Sequence, residues 1–273
     1  MRGAALLCLA LAGCAAPPSR TGGIVSLNPC ADAMLVELVP PDRITAISRY
    51  SKDPTASSIP PALAARFPGT TGTAEEVITL RPSLVVASSY TPPATREAFT
   101  RAGLKTLYLD IPPSIDANKA QIRELAAAVG ENAKGAAMIA RIDDAVRDAA
   151  TGRPPVTALL WIGGNLVSGG STLLDEMMTR AGFSNYAAHY GLTHTGYLPI
   201  EPVLADPPRV IMAPEAPGRD ASSRAAQLRR WAVRRSGARV AQAVFPRELV
   251  NCGGPVIAPA MARLAQIRRE VGQ

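Results

Sequence analysis

From residue 24 onward, short β-branched runs alternate with stretches whose apolar residues recur at helical spacing. Residues 24–27, 43–47, 84–86 and 105–109 read as strands, and 31–38, 75–80 and 93–102 as helices. That alternation predicts a parallel sheet with helices on its faces. The pattern restarts after residue 155, with strands at 156–161 and 210–212 and helices at 171–181 and 199–205. Between the halves, 116–129 and 131–150 are successive helical stretches without an intervening strand. The second, with about 20 residues, would run roughly 30 Å. Ala136, Ile139, Ile142 and Val146 lie along one stripe of it, so it can lean on both halves.

An internal repeat supports the division. Residues 75–86 (EEVITLRPSLVV) and 201–212 (EPVLADPPRVIM) both follow Glu-x-Val-apolar-x-x-x-Pro-x-apolar-apolar-apolar. Each reads as a short helix, a proline stop and a buried strand. Two similar lobes are the simplest reading. The expected organisation is a lobe at 24–112, linking helices at 113–152 with the backbone helix at 131–150, and a second lobe at 153–273. The fold class is α/β: two similar lobes with parallel-type sheets, joined by one long rigid helix, with a cleft between them.

The first residues carry a different message. Arg2, an apolar stretch and then small residues form the layout of an export signal over 1–13. Its end, Leu11-Ala12-Gly13-Cys14, resembles a bacterial lipoprotein signal in which Cys14 is lipidated and becomes the mature N-terminus. Residues 14–23, rich in Pro, Ser and Gly, read as a tether to a membrane surface. The chain of 273 residues is 47% hydrophobic and carries a formal net charge of +7. Seven arginines against one acid, Asp220, crowd 219–239, so the charge is local. A nucleic-acid binder usually spreads its basic residues over a face and interleaves aromatics, and export argues against that partner.

Four cysteines are too few for a disulfide framework. Cys8 leaves with the signal and Cys14 is assigned to lipid, which leaves Cys30 and Cys252 in an oxidising compartment. A disulfide, a thiol lining the site and inert burial all stay open for this pair. Two histidines, His189 and His194, do not make a metal centre, and no nucleophile elbow, phosphate loop or dinucleotide fingerprint occurs. No metal site, catalytic residue or bound cofactor is expected.

Taken in order along the chain, the stretches 24–32 (IVSLNPCAD), 46–51 (AISRYS), 80–86 (LRPSLVV), 163–169 and 201–212 resemble the substrate-binding proteins of ABC importers for cobalamin and ferric siderophores. The resemblance covers nearly the whole mature chain. It implies an extracytoplasmic, membrane-anchored monomer, not an enzyme, that captures a small-molecule metal chelate, a corrinoid or a ferric siderophore. It also implies delivery to an ABC permease and its ATPase. A haem carrier is the alternative, followed by an enzyme or sensor on the same frame. Ligand would lie in the cleft, against loops at the carboxyl ends of the strands. On this chain those loops bring Asn28, Pro29, Cys30, Tyr50, Ser51, Ser89, Tyr90, Trp161, Asn165, Tyr197 and Gly253. Tyr50, Tyr90, Trp161 and Tyr197 offer flat faces suited to a macrocycle or catecholate ring. The family further implies one docking glutamate per lobe for arginine pockets of the permease, at Glu75 and Glu201. In Thr73-Ala74-Glu75-Glu76 a capping box would engage Glu76 and leave Glu75 free. Cobalamin binders of this kind often carry a tryptophan where this chain reads Ser88-Ser89-Tyr90, which leans away from a corrinoid. The arginine-rich segment leans toward an anionic ferric chelate.

Overall fold

The computed structural model describes residues 22–214 and 240–271, with residues 227, 230, 231 and 233–235 between them. The export signal, Cys14, most of the tether, and Arg219, Arg224, Arg229 and Arg239 of the basic segment lie outside the described residues.

The first lobe runs β1 (Ile24–Ser26), α1 (Pro29–Leu38), β2 (Ile44–Ser48), α2 (Pro61–Ala64), β3 (Gly69–Thr70), α3 (Ala74–Leu80), β4 (Leu84–Ser88), α4 (Pro93–Arg101) and β5 (Thr106–Leu109). Its sheet is wholly parallel, in the order β3-β2-β1-β4-β5. Two helices, α5 (Ile115–Val129) and α6 (Asn132–Ala149), lead to the second lobe. That lobe holds β6 (Val156–Gly163), β7 (Leu166–Val167), α7 (Leu173–Arg180), β8 (Phe183–Asn185), β9 (Gly196–Tyr197), α8 (Ile200–Ala205), β10 (Val210–Ala213), β11 (Ala241–Val244) and α9 (Ile257–Val271). Its parallel path β8-β6-β10-β11 repeats β2-β1-β4-β5 of the first lobe. The difference lies at the far half of β6, where antiparallel β7 and then β9 form an added edge.

Parallel strands buried on both faces send alternate side chains to opposite cores. Leu84 and Val86 enter the inner core with α5 and α6, whereas Val85 and Ala87 meet Val77 of α3 on the outer face. The second lobe does the same: Ala158, Leu160, Val210 and Met212 point inward, and Leu159, Trp161 and Ile211 meet Val203 of α8 outside. The inner cores are one. Ile24 and Leu35 of the first lobe, Ile122 and Ile142 of the linking helices, and Leu160 and Leu264 of the second lobe belong to a single continuous cluster.

Several expectations shift in detail. Helix α1 begins at Pro29, earlier than residue 31, because the Asn28 side chain accepts from the Cys30 and Ala31 amides at 2.9 and 3.3 Å and so caps it. Helix α6 has 18 residues, about 27 Å. Its buried stripe is Gly135, Met138, Ile142 and Ala149 with Ile139 and Val146 beside it; Ala136 faces solvent. The stripe turns that way because α5 and α9 both pack against α6, so the joint between the lobes is a helical layer. At Gly135, a Cβ would lie 2.5 Å from that of Ala126 on α5, so a side chain there would push the two helices apart.

Candidate ligand-binding site

The strands of both sheets end toward the space between the lobes, as expected where open α/β sheets bind ligands. The floor of that cleft is a direct contact of the lobes. Ser58 Oγ donates to the Glu248 carbonyl at 2.6 Å and Asn251 Nδ2 to the Ser57 carbonyl at 3.4 Å. A disulfide joins Cys30, at the start of α1, to Cys252, with Cα atoms 5.1 Å apart. The Thr55 amide and hydroxyl hold the Asp53 carboxylate below its ordinary range, and the charge of Arg247 on the other lobe acts in the same direction. Arg247 itself lies beside Gly163, where a Cβ would meet its Nη1 at 3.6 Å.

The exposed aromatic side chains lie on both lobes. Tyr50 is 50% exposed and Tyr90 70%, on the turns after β2 and β4; Tyr197, on β9, is 80% exposed. Ile111 after β5 and Trp231 are the other large apolar side chains left open among the described residues. The two first-lobe tyrosines are presented by the same device. Ser48 Oγ accepts from the Tyr50 amide at 3.3 Å, and Ser88 Oγ from the Tyr90 amide at 3.1 Å. Each strand thus ends in a serine that turns the chain and aims the second residue outward. The motif Ser-x-Tyr after a buried run is a signal that sequence reading passed over.

Both turns are braced. Arg49 donates to Tyr50 Oη at 3.1 Å with its guanidinium 4.9 Å from the ring centre. Ser89 Oγ donates to Asp110 Oδ1 at 2.9 Å, and Arg96 donates to the Ser89 carbonyl at 3.0 Å while stacked 4.1 Å from the Tyr108 ring. Turns held this way need little ordering when a ligand arrives.

The other expected ligand residues fall elsewhere. Trp161 is only 1% exposed and belongs to the outer core of the second lobe. Its place in the β6 alternation, in phase with Leu159, turns it away from the inter-lobe face; it borders a cavity of about 280 Å³ lined wholly by second-lobe residues such as Ile211, Val233 and Val244. Ser51 is buried, and its hydroxyl donates to Asp32 Oδ2 at 2.6 Å. Asn28 is occupied in capping α1, Pro29 is the first helical residue and Cys30 is in the disulfide. Gly253 is packed so closely that a Cβ would lie 2.6 Å from Asn118 Nδ2 and 2.9 Å from Leu173 Cδ2. Asn165 is exposed in the two-residue turn between β6 and β7 and accepts the Leu198 amide on its carbonyl at 2.9 Å.

Sequence reading also missed Asp32. It is fully buried in the first turn of α1, where Oδ2 accepts from the Ser48 amide at 2.9 Å and from Ser51. Burial pushes its carboxyl up to about 7, against the opposing pull of the Ser26 and Ser51 hydroxyls and the Ser48 amide.

The repeat places Glu75 and Glu201 alike, each exposed in the first turn of the outer-face helix α3 or α8. Thr73 Oγ1 accepts from the Glu76 amide at 3.3 Å, but the Glu76 carboxylate does not close the box: it accepts from the Thr71 amide and hydroxyl at 2.9 and 2.6 Å. Glu75 is uninvolved in either bond. His189 is paired with Asp206 at 2.7 Å and stacked on Tyr186, a local arrangement at the end of α8. Among the described residues no group of three His, Cys, Asp or Glu side chains could hold a metal ion, and no helix is long and apolar enough to cross a membrane.

Two α/β lobes on a helical joint, each built on a parallel sheet path of the same order, define the class of two-lobed binding proteins. Residues 24–229 match the family described as periplasmic binding protein, and the chain belongs to that family, the extracytoplasmic substrate-binding components of ABC importers. No curated protein sequence matches it. Among solved structures it is similar to the periplasmic heme-binding protein RhuT from Roseiflexus sp. RS-1, at 22% identity and TM-score 0.72, covering 93% of this chain and 100% of that one. A periplasmic heme-binding protein from Pseudomonas aeruginosa matches at 23% identity and TM-score 0.67, covering 92% of each chain. The periplasmic vitamin B12 binding protein BtuF of Vibrio cholerae matches at 19% identity and TM-score 0.69, covering 94% of this chain and 100% of that one. These likenesses extend over the two-lobed fold as a whole.

Proposed function

We propose that the protein captures a planar tetrapyrrole metal chelate, a corrinoid or haem, and delivers it to an ABC permease. The observation that supports this reading is the set of exposed tyrosines on both lobes: Tyr50 and Tyr90 on braced first-lobe turns, and Tyr197 on the second-lobe edge. Large apolar faces left open on a soluble frame mark binding surfaces, and broad flat rings suit a broad flat ligand. The heme and vitamin B12 binding named for the similar structures lies within the same chemical class. Glu75 and Glu201 are the docking contacts in this reading, and a lipid on Cys14 anchors the mature monomer beside the permease.

An anionic ferric siderophore is the second reading, favoured by Arg49 and Arg247 near the tyrosines and the floor. Titrations followed by absorbance and tryptophan fluorescence, with cyanocobalamin, haemin and a ferric catecholate, separate the two. Micromolar or tighter binding of a tetrapyrrole, weakened about tenfold by Tyr50→Ala or Tyr90→Ala, supports the first reading. Binding of the catecholate alone replaces it with the second, and binding of none refutes both. Mass spectrometry of the mature N-terminal peptide tests the lipid.

A further inference from the structure

Asp32 is a buried acid with no part in the floor contacts or the rims, yet it touches the segment that carries Tyr50. Its Oδ2 accepts from the amide of Ser48, the residue that ends β2, and from the hydroxyl of Ser51. Between those two lies the turn Arg49–Lys52, whose N-cap is Ser48 and whose exposed ring is Tyr50. One carboxylate oxygen therefore grips both ends of the Tyr50 turn. Its second oxygen, Oδ1, is buried without a hydrogen-bond partner. For a side chain with 0% exposure this arrangement is costly and its hold on the turn sensitive to charge.

We propose that Asp32 is the positioning residue of the Tyr50 turn: its carboxylate fixes the ring face offered to the chelate, and protonating it loosens the turn and weakens binding. The inference rests on the reading of Tyr50 as a ligand contact. A hydrogen bond to an ionised acceptor is about twice as strong as one to a neutral acceptor, so the grip follows the charge. Burial has already moved the ionisation of Asp32 to about 7, where modest acidification changes it.

The groups around it leave the titration to Asp32 itself. The hydroxyls of Ser26 and Ser51 and the Ser48 amide are its polar neighbours. On the turn, Arg49 is directed to Tyr50 Oη and Lys52 Nζ to the Ala64 carbonyl. On α1 Glu37 pairs with Arg141 of α6, and Lys134 of α6 donates to the Leu38 carbonyl. On α5 Asn118 donates no bond to Asp32 and accepts the Gly254 amide at 2.7 Å, while Lys119 pairs with Asp116 and Asp143. The 3-10 turn Gly254–Val256 brings no charged side chain.

The test measures cyanocobalamin and haemin affinity from pH 5.5 to 8.5 for the full chain and for Ser51→Ala, Asp32→Asn and Asp32→Ala. Wild type is expected to bind about fivefold or more weakly at the acidic end. Ser51→Ala removes one hydroxyl that favours the charged acid, so the midpoint of that profile moves to higher pH. Asp32→Asn keeps an acceptor but not the charge and is expected to flatten the profile at the weaker, acidic-end affinity of the wild type, whereas Asp32→Ala, without an acceptor, falls tenfold or more below the wild-type maximum at every pH. Hydrogen exchange of the ligand-free Ser48 and Tyr50 amides, corrected for intrinsic rate, should show protection falling over the same range. A flat wild-type profile, or a midpoint unmoved in Ser51→Ala, overturns the inference and leaves the tetrapyrrole reading standing. No binding of either chelate at any pH overturns both.

Discussion

Breaking the bond between Cys30 and Cys252 is the sharpest test of how the two ends of the chain are held. The cysteines are 222 residues apart in sequence. In the chain-entropy description, a cross-link of that span restricts the unfolded chain by about 5 kcal/mol at 25 °C. Part of that is lost to other effects, so about 2–5 kcal/mol is expected. The folded side of the balance changes little, because Ser58 to Glu248, Asn251 to Ser57 and Gly254 to Asn118 still close the same seam. Double replacement by alanine avoids leaving a hydroxyl in the buried position of Cys252. Guanidinium unfolding followed by circular dichroism should then show a midpoint lower by roughly 0.5–1 M, with a steeper slope because the released chain exposes more surface. Dithiothreitol treatment of the wild type should reproduce both changes. A midpoint shift under about 0.2 M with an unchanged slope would refute the reasoning, since it would mean the unfolded chain is not constrained by the link.

Three further outcomes follow from particular contacts. Glu75→Arg and Glu201→Arg are expected to reduce transport in reconstituted vesicles at least tenfold while chelate affinity stays within about twofold; unchanged transport removes the docking role. Gly253→Ala is expected to destabilise by about 1–3 kcal/mol, because the added carbon meets Asn118 Nδ2 at 2.6 Å, and thermal unfolding measures it. For Asp32→Asn the comparison is stability against pH. The folded-state ionisation is raised from 3.8 to about 7, so the wild type's advantage from this group is complete below about pH 4 and lost as pH rises through 7. The stability difference between wild type and Asp32→Asn should shift toward the variant by an amount on the order of 4 kcal/mol over that window; a constant difference would contradict the burial of a charge there.

The lobes were legible because parallel strands buried on both faces are continuous apolar runs, and the Glu-x-Val repeat marked the same helix-strand joint twice. The same two-sided burial hid the phase of each strand. In the run Ala158-Leu159-Leu160-Trp161 nothing local says which side chains face the joint, so the tryptophan was expected at the ligand and lies in the outer core. The β7 and β9 edge is built from two-residue strands, too short to carry a period. Tyr50 and Tyr90 were expected to be exposed, and are, because the ends of β2 and β4 could be placed, whereas the burial of Ser51 was not foreseen because its partner Asp32 lies 19 residues away. An aspartate in a helix's first turn ordinarily answers the helix dipole at the surface. Only the packing of α1 against β2 shows it buried.

The continuous inner core has a kinetic consequence. Ile122, Ile142, Leu160 and Leu35 pack as one body across the joint, so opening the lobes would expose apolar surface at about 25 cal/mol per Å². A receptor of this build meets its ligand as a fixed fork rather than a closing jaw. Association then proceeds in one step, and its observed rate should climb linearly with ligand concentration without reaching a plateau set by closure. Discrimination between ligands falls on how long each remains, and release becomes the permease's task.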